Sequence, residues 1–220
     1  MIPTRCLIGN YYSLRKHING GDLIAFGGLT SLSALIMKVS NSNVSHVGVI
    51  SESHPYWIGG PIENAIVETT YGNNHLGLQV NFLERVLMSY DGYVWWIPLN
   101  DPNRRIVNQN YEAFYSYLML QGANPYDIRS LVLNGLATAF PGFASEIHEY
   151  VGDDNGQRLF CSEYVARAYE AANIMLGVQS NFISPIQVCR YPIFQRDYFL
   201  LKSPEMGSDL NIEPTYRAIL

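Results

Sequence analysis

Four short segments rich in β-branched and aromatic residues constrain the fold of this chain more than any other feature of its sequence. Segments of this composition, bounded by glycine, proline and polar turn residues, are typical of β-strands. They are GDLIAF (21–26), VSHVGVI (44–50), NAIVETTY (64–71) and GYVWWIPL (92–99). All four lie in the first half of the chain, whereas most helical patterns come later, so an α+β fold is expected.

The helical patterns are recognised by apolar residues at intervals of three and four. A helix is predicted over Leu29–Val39, and a second begins near Tyr111 and ends before Gly122. A third is expected to begin at Pro125. Further along, Ser184-Pro185 is typical of the start of a short helix, and YFLLK (198–202) is a further strand candidate.

The composition favours a single compact domain. The chain has 220 residues, of which 48% are hydrophobic and 15% charged, so it can bury a sizeable core. We expect one domain over 1–202, followed by a polar, proline-containing tail at 203–220.

Charge and hydropathy exclude several classes of partner. The net charge is −5 and no block of lysine or arginine is present, so no nucleic-acid partner is expected. The most apolar stretch, 22–39, is interrupted by Gly27 and Gly28, so no transmembrane segment is expected.

The cysteines and the N-terminus bear on the compartment. The three cysteines, Cys6, Cys161 and Cys189, are widely spaced and include no C-x-x-C pair, so neither a disulfide framework nor a metal site is expected. No secretory signal is visible at the N-terminus. Free thiols and a cytoplasmic location are the simplest expectation, and no cofactor is predicted.

Cys161 stands at the start of a predicted amphipathic helix, with Tyr164, Val165, Ala168 and Tyr169 on the same apolar face. Ser162, Glu163, Arg167 and Glu170 are expected to face outward. A thiol in the first turn of a helix lies where the dipole and the free backbone N–H groups stabilise an anion. Cys161 is therefore a candidate nucleophile, although free cysteines are also among the residues most often buried for packing alone.

A nucleophilic thiol needs an imidazole, and His46 is the best placed of the five histidines because it lies within an apolar strand. A hairpin that pairs residue 50 with residue 64 would also pair His46 with Glu68 on one face. Glu68 would then orient the imidazole. The alternatives are a histidine that only makes a structural hydrogen bond and a carboxylate at a solvated strand edge.

These residues occur together in an order that resembles the permuted papain-like amidases of the NlpC superfamily, particularly the YiiX-like branch. The resemblance spans roughly 20–190. The matching residues are Gly21-Asp22, Ser45-His46-Val47-Gly48, Glu68 and Phe160-Cys161-Ser162-Glu163, with Pro125-Tyr126-Asp127 before the cysteine helix and Ser184-Pro185 after it.

The resemblance implies a circularly permuted papain-like fold, in which an antiparallel sheet packs against helices and the nucleophile begins a helix. It implies that Cys161 is the nucleophile, His46 the general base and acid, and Glu68 the orienting residue. Tyr126 is a weaker candidate for contact with the substrate. A helical insertion at about 107–157 matches no motif of the family.

The function implied is that of a cysteine peptidase or amidase that cleaves an amide bond, with a peptide, including a cell-wall-type peptide, as the substrate. One alternative is an acyltransferase or lipid-directed thiol hydrolase of the lecithin retinol acyltransferase kind, whose partner would be a lipid acyl chain. Another is a binding module that keeps the fold without turnover.

Overall fold

The computed structural model describes residues 3–55, 62–72, 75–120, 161–178 and 183–206 of the chain. The strands are β1 (Arg5–Ile8), β2 (Leu23–Gly28), β3 (His46–Pro55), β4 (Ile62–Gly72), β5 (His75–Phe82), β6 (Gly92–Ile97) and β7 (Asp197–Lys202). The α-helices of the described residues are α1 (Tyr11–Leu14), α2 (Ser31–Val39), α3 (Leu83–Ser89), α4 (Asp101–Gln109), α5 (Tyr111–Leu120), α6 (Cys161–Ala171) and α7 (Pro185–Cys189). Short 3-10 helices cover Arg15–His17 and Pro204–Met206.

The strands form one seven-stranded sheet in the order β1-β7-β6-β2-β3-β4-β5. Every neighbouring pair is antiparallel except β1 and β7, which run parallel. The fold is therefore α+β as expected, and the sheet is mixed, where an antiparallel sheet was expected. Strands from opposite ends of the chain are joined by no hairpin, so nothing in their connection requires them to run antiparallel.

Most predicted elements are present in the described residues. The four β-rich segments correspond to β2, β3, β4 and β6, and the segment at 198–202 lies within β7. The first predicted helix is α2, which begins at Ser31 because the Thr30 side chain accepts a hydrogen bond from the backbone N–H of Ser33. Within the predicted insertion, residues 107–109 end α4 and residues 111–120 form α5. The part beyond residue 120 lies outside the described residues, as does the helix expected at Pro125.

The sheet has an apolar core on each face. On one face, Val47, Val49 and Val67 pack with α6 and α5. The Tyr164 hydroxyl of α6 donates to the backbone carbonyl of Leu118 at 2.8 Å, which fixes these two helices to each other. On the opposite face the core contains α3 residues together with Ile24, Phe26 and Ile66. None of the helices in the described ranges is long and apolar enough to cross a membrane.

The first turn of α6 is buried on all sides, which corrects the expectation that Ser162 and Glu163 face outward. The Ser162 hydroxyl donates to the backbone carbonyl of Ile183 at 2.6 Å, so the segment before α7 covers this side of the helix. Glu163 pairs with Arg167 one turn later. The helix that begins at Cys161 is thus held between the sheet and the segment leading to α7.

Asp22 ties the start of β2 to the far end of β6. Its side chain is fully buried, and its carboxylate accepts hydrogen bonds from four donors. They are the backbone N–H of Leu99 at 2.8 Å, the backbone N–H of Asn19 at 2.9 Å, Trp96 Nε1 at 3.0 Å and the Arg104 guanidinium. This carboxylate holds three separate segments together.

Candidate active site

The site is built where the sheet opens between β3 and β4. Pairing of these strands starts at Val49 opposite Val67, and no pairing with β4 is found for His46 or Val47 among the described residues. The N–H of Ile50 donates to the backbone carbonyl of Asp22 in the loop before β2. Because N–H groups alternate in direction along a strand, those of Val47 and Val49 point toward β4. The N–H of Val47 is hydrogen-bonded to the sulfur of Cys161. The thiol therefore takes the place that a partner strand would occupy.

The register that brings Glu68 toward His46 differs from the predicted one. Ile50 pairs with Ile66, not with Asn64, and a bulge follows between Ile50 and Glu52. Extended toward the open end, this register places Glu68 across from Gly48, two residues from His46. A shift of two residues keeps the same face of the strand, so the expected proximity survives although the predicted pairing was wrong.

Gly48 is what allows Glu68 to reach diagonally to His46. A Cβ atom at position 48 would lie 3.1 Å from the Glu68 Cβ and 2.9 Å from the Ile66 Cδ1. With no side chain there, the Glu68 carboxylate crosses over the strand, and its Oε2 lies 2.9 Å from Nε2 of His46. The side chains are 21% exposed for His46 and 8% for Glu68, so this pair is largely shielded from solvent.

Cys161 is 8% exposed, and its sulfur is surrounded by groups that stabilise an anion. Burial by itself would raise the pKa of the thiol. The positive charge and hydrogen bond of His46, with the backbone N–H groups of Val47 and Ser162, outweigh it and lower the pKa below its ordinary value. The other two thiols differ, because burial raises the pKa of Cys6 and of Cys189.

The pKa of His46 shifts in the opposite direction to that of Cys161. Burial alone would lower the pKa of the imidazole, but the negative charges and hydrogen bonds of Cys161 and Glu68 raise it. Since Nε2 is held by Glu68, Nδ1 is the nitrogen left for the thiol. The arrangement favours a thiolate paired with an imidazolium.

Two aromatic residues that the sequence patterns did not single out lie on the His46 side of the sheet: Phe26 packs against the imidazole, and Tyr90 packs against Phe26. The ring of Phe26, opposite His46 in the β2–β3 ladder, lies 5.3 Å from the imidazole between centroids. Tyr90 lies 5.0 Å from Phe26 and is hydrogen-bonded to the side chain of Ser45. Phe26 could have been found by aligning the two predicted strands, whereas Tyr90 follows α3 and has no signal in the strand pattern.

The structure thus brings together Cys161, His46 and Glu68. The imidazole of His46 contacts the thiol of Cys161 on one side and the carboxylate of Glu68 on the other. Tyr126, the candidate for substrate contact, lies outside the described residues. In the described part of the chain, no group of three or more histidine, cysteine, aspartate or glutamate side chains is arranged to hold a metal ion.

No family model matches the chain, and no curated protein matches it. Among solved structures, the chain is similar to the metalloprotein YiiX from Escherichia coli O157:H7, with 14% sequence identity and a TM-score of 0.38. The match covers 92% of this chain and 97% of that one.

Proposed function

We propose that this protein is a cysteine hydrolase that cleaves an amide bond through a thioester acyl-enzyme. The observation that carries the proposal is the contact of the Cys161 thiol with His46, whose other ring nitrogen is held by Glu68 at 2.9 Å. A thiol of lowered pKa, a base within hydrogen-bond reach and a carboxylate that orients the base are the components of nucleophilic catalysis.

In the first half of the reaction, the Cys161 thiolate attacks the amide carbonyl carbon and forms a tetrahedral intermediate. The backbone N–H of Cys161, in the first turn of α6, is suited to donate to the oxyanion. The His46 imidazolium gives its proton to the departing amine, and the C–N bond breaks. The acyl group then remains on sulfur as a thioester.

In the second half, neutral His46 takes a proton from water while the water oxygen attacks the thioester. The C–S bond breaks, the carboxylic acid leaves, and the proton returns the pair to thiolate and imidazolium. Glu68 does not transfer a proton in this scheme. It holds the imidazole in place and stabilises its charged form.

The order of these residues along the chain supports a permuted papain-like arrangement. His46 and Glu68 precede Cys161 in sequence, and Cys161 begins a helix that packs on the sheet. Together with the α+β architecture, this order favours the YiiX-like branch of the NlpC superfamily as the origin of the chain, and a peptide as the substrate.

A lipid acyl substrate is the second candidate, and one feature of α2 favours it. This helix is rich in leucine, isoleucine and methionine, yet Ile36 is its only buried residue, and the preceding Leu29 is 56% exposed. Incubating the protein with peptide and phospholipid substrates and identifying the acyl group on Cys161 by mass spectrometry separates the two candidates.

The test of the proposed function uses the three cysteines as their own controls. Brief treatment with iodoacetamide at pH 6, followed by peptide mapping, should label Cys161 much faster than Cys6 or Cys189, because the pKa of Cys161 is lowered and the pKa values of the other two thiols are raised. Cys161→Ala should abolish amide hydrolysis and leave folding nearly unchanged. Equal labelling of all three thiols, or turnover by the Cys161→Ala variant, would refute the proposal.

A further inference from the structure

The second oxygen of the Glu68 carboxylate has a partner outside the three residues of the proposed mechanism. While Oε2 contacts His46, Oε1 accepts a hydrogen bond from the side-chain amide of Asn81, with 3.4 Å between Nδ2 and Oε1. Asn81 lies on β5, the strand at the outer edge of the sheet. The carboxylate is therefore held from both sides, by a base and by an amide.

The β4–β5 register explains why Asn81 reaches this oxygen. Asn81 stands opposite Ile66 and Gln79 stands opposite Glu68, so all four side chains share one face of the sheet. The Asn81 amide also donates to Oε1 of Gln79 at 3.4 Å. Gln79 thus orients the amide from the position directly across from the carboxylate.

We propose that Asn81 is a positioning residue that acts on His46 through Glu68. The inference deepens the proposed function and rests on it for its catalytic meaning. A glutamate side chain has three rotatable bonds, and across from Gly48 no Cβ limits its rotation. A donor on Oε1 restricts the carboxylate to the orientation in which Oε2 points at the imidazole.

An amide suits this task better than a charged donor would. A lysine or arginine at position 81 would neutralise the carboxylate and weaken the attraction that favours the imidazolium form of His46. An asparagine fixes the carboxylate and leaves its negative charge intact. The residue type at position 81 therefore agrees with a role in holding Glu68 as an anion.

The experiment measures the protonation of His46 directly, so it does not depend on a known substrate. The histidine-labelled 220-residue chain is titrated by NMR, and His46→Ala identifies the His46 signal among the five histidines. Among the described residues, the titratable groups that interact with His46 are Cys161 and Glu68, while Tyr90 packs on Phe26 and faces the charge of Glu68. The variants are Asn81→Leu, which removes the amide, and Asn81→Gln, which retains it.

In Asn81→Leu, we expect His46 to lose its proton at a pH lower by about half a unit, and Cys161 to be alkylated about threefold more slowly at pH 6, as for the loss of one hydrogen bond. Asn81→Gln should restore most of the His46 titration and most of the Cys161 alkylation rate. Val80→Ala, a control on the same strand with a side chain on the other face that is 53% exposed, should change neither. Asn81→Ala, smaller and on an edge strand, repeats the test if Asn81→Leu fails to fold.

An unchanged His46 titration in a folded Asn81→Leu or Asn81→Ala variant overturns the inference. A second result would also overturn it: Asn81→Leu lowers the His46 titration by the same amount in the Glu68→Gln protein as in the unmodified protein. A residue that acts through Glu68 should have little further effect once the Glu68 carboxylate is gone. If Cys161 in the unmodified protein is no more reactive than Cys6, the proposed function fails, but the His46 titration still decides whether Asn81 holds Glu68.

Discussion

Two buried carboxylates of this protein, Asp22 just before β2 and Glu68 on β4, have opposite kinds of partners. Asp22 is fully buried and accepts hydrogen bonds from two backbone N–H groups, an indole and a guanidinium. Glu68 instead faces His46, an imidazole that can gain or lose a proton and that contacts a thiol.

The difference shows how one kind of side chain serves stability in one place and chemistry in another. The donors around Asp22 come from three segments, so the carboxylate holds the fold together. Around Glu68, the strands separate and a helix start enters the gap, so the interaction passes to a reactive sulfur. Substitutions should therefore affect mainly stability at Asp22 and mainly reactivity at the other site.

The largest effect is expected at Asp22. Asp22→Asn keeps the shape but removes the charge opposite Arg104, and breaking such a buried pair costs about 3–5 kcal/mol. The free energy of unfolding, measured with urea, should fall by that amount, while Cys161 in the molecules that remain folded keeps its reactivity. Asp197→Asn, which breaks the more exposed pair with Arg5, is the control and should cost less than about 1 kcal/mol. Equal losses from the two variants would contradict the structural role of Asp22.

At the other site, His46→Ala should slow alkylation of Cys161 about 100-fold at pH 6, with little change in stability. The lowered pKa of Cys161 keeps the thiolate populated below about pH 8.5 until the pH falls through that lowered value. The raised pKa of His46 keeps the imidazolium present above about pH 6.5 until the pH rises through that raised value. The alkylation rates of the unmodified protein and of His46→Ala should therefore differ most at low pH and become equal in alkaline solution.

Measuring the alkylation rate from pH 5 to 10 checks this prediction. His17→Ala, in the exposed 3-10 helix, is the matched control and should follow the unmodified protein throughout. A His46→Ala profile parallel to that of the unmodified protein would remove His46 from the site.

Gly48→Ala should lower the reactivity of Cys161 about tenfold, because the new Cβ would displace the Glu68 side chain. The crowding against Glu68 and Ile66 should also cost about 1–3 kcal/mol. Gly177→Ala is a suitable control: its φ of +74° makes alanine unfavourable, but a Cβ there meets no atom of the described residues within 4 Å. It should lower stability without slowing alkylation, and a loss of reactivity there would mean that reactivity only follows stability.

The smallest effect is expected from Glu68→Gln, at about threefold on turnover at neutral pH, because an amide oxygen can still accept from the imidazole. The charge is lost, so the pKa of His46 should fall and the alkaline limit of activity should move to lower pH. Glu63→Gln, further along the same strand, should leave the pH profile unchanged. A loss as large as that of Cys161→Ala would show that Glu68 does more than orient the ring.

Local sequence patterns predict some strands and helices of this protein and miss others. The strands β2, β3, β4 and β6 and the helix beginning at Cys161 follow from local periodicity, because each buries an apolar face of its own. The strand β1 is four residues long, and β5 forms the edge of the sheet. β1 forms by pairing with the distant strand β7, and β5 forms by pairing with its neighbour β4. Local sequence patterns do not report such pairing.

For the candidate site, the sequence indicated the residues but not their geometry. His46 and Glu68 were placed on one face by alternation, and this was correct even though the pairing was shifted by two residues. The bulge after Ile50 changes the register locally and has no signature in the residues around it. Asn81 had no signal at all, because its importance depends on which edge of β4 is paired with β5.

The sequence by itself determined the α+β class, the strand that carries His46 and the helix that begins at Cys161, because periodicity and capping act over a few neighbouring residues. Only the tertiary structure decided that β3 and β4 separate at one end, so that the sulfur accepts the N–H of Val47 and pairs with the imidazole. The physical reason is that charge and hydrogen bonding depend on distances of a few ångströms between groups, and the chain's order fixes no such distance between residues 46 and 161.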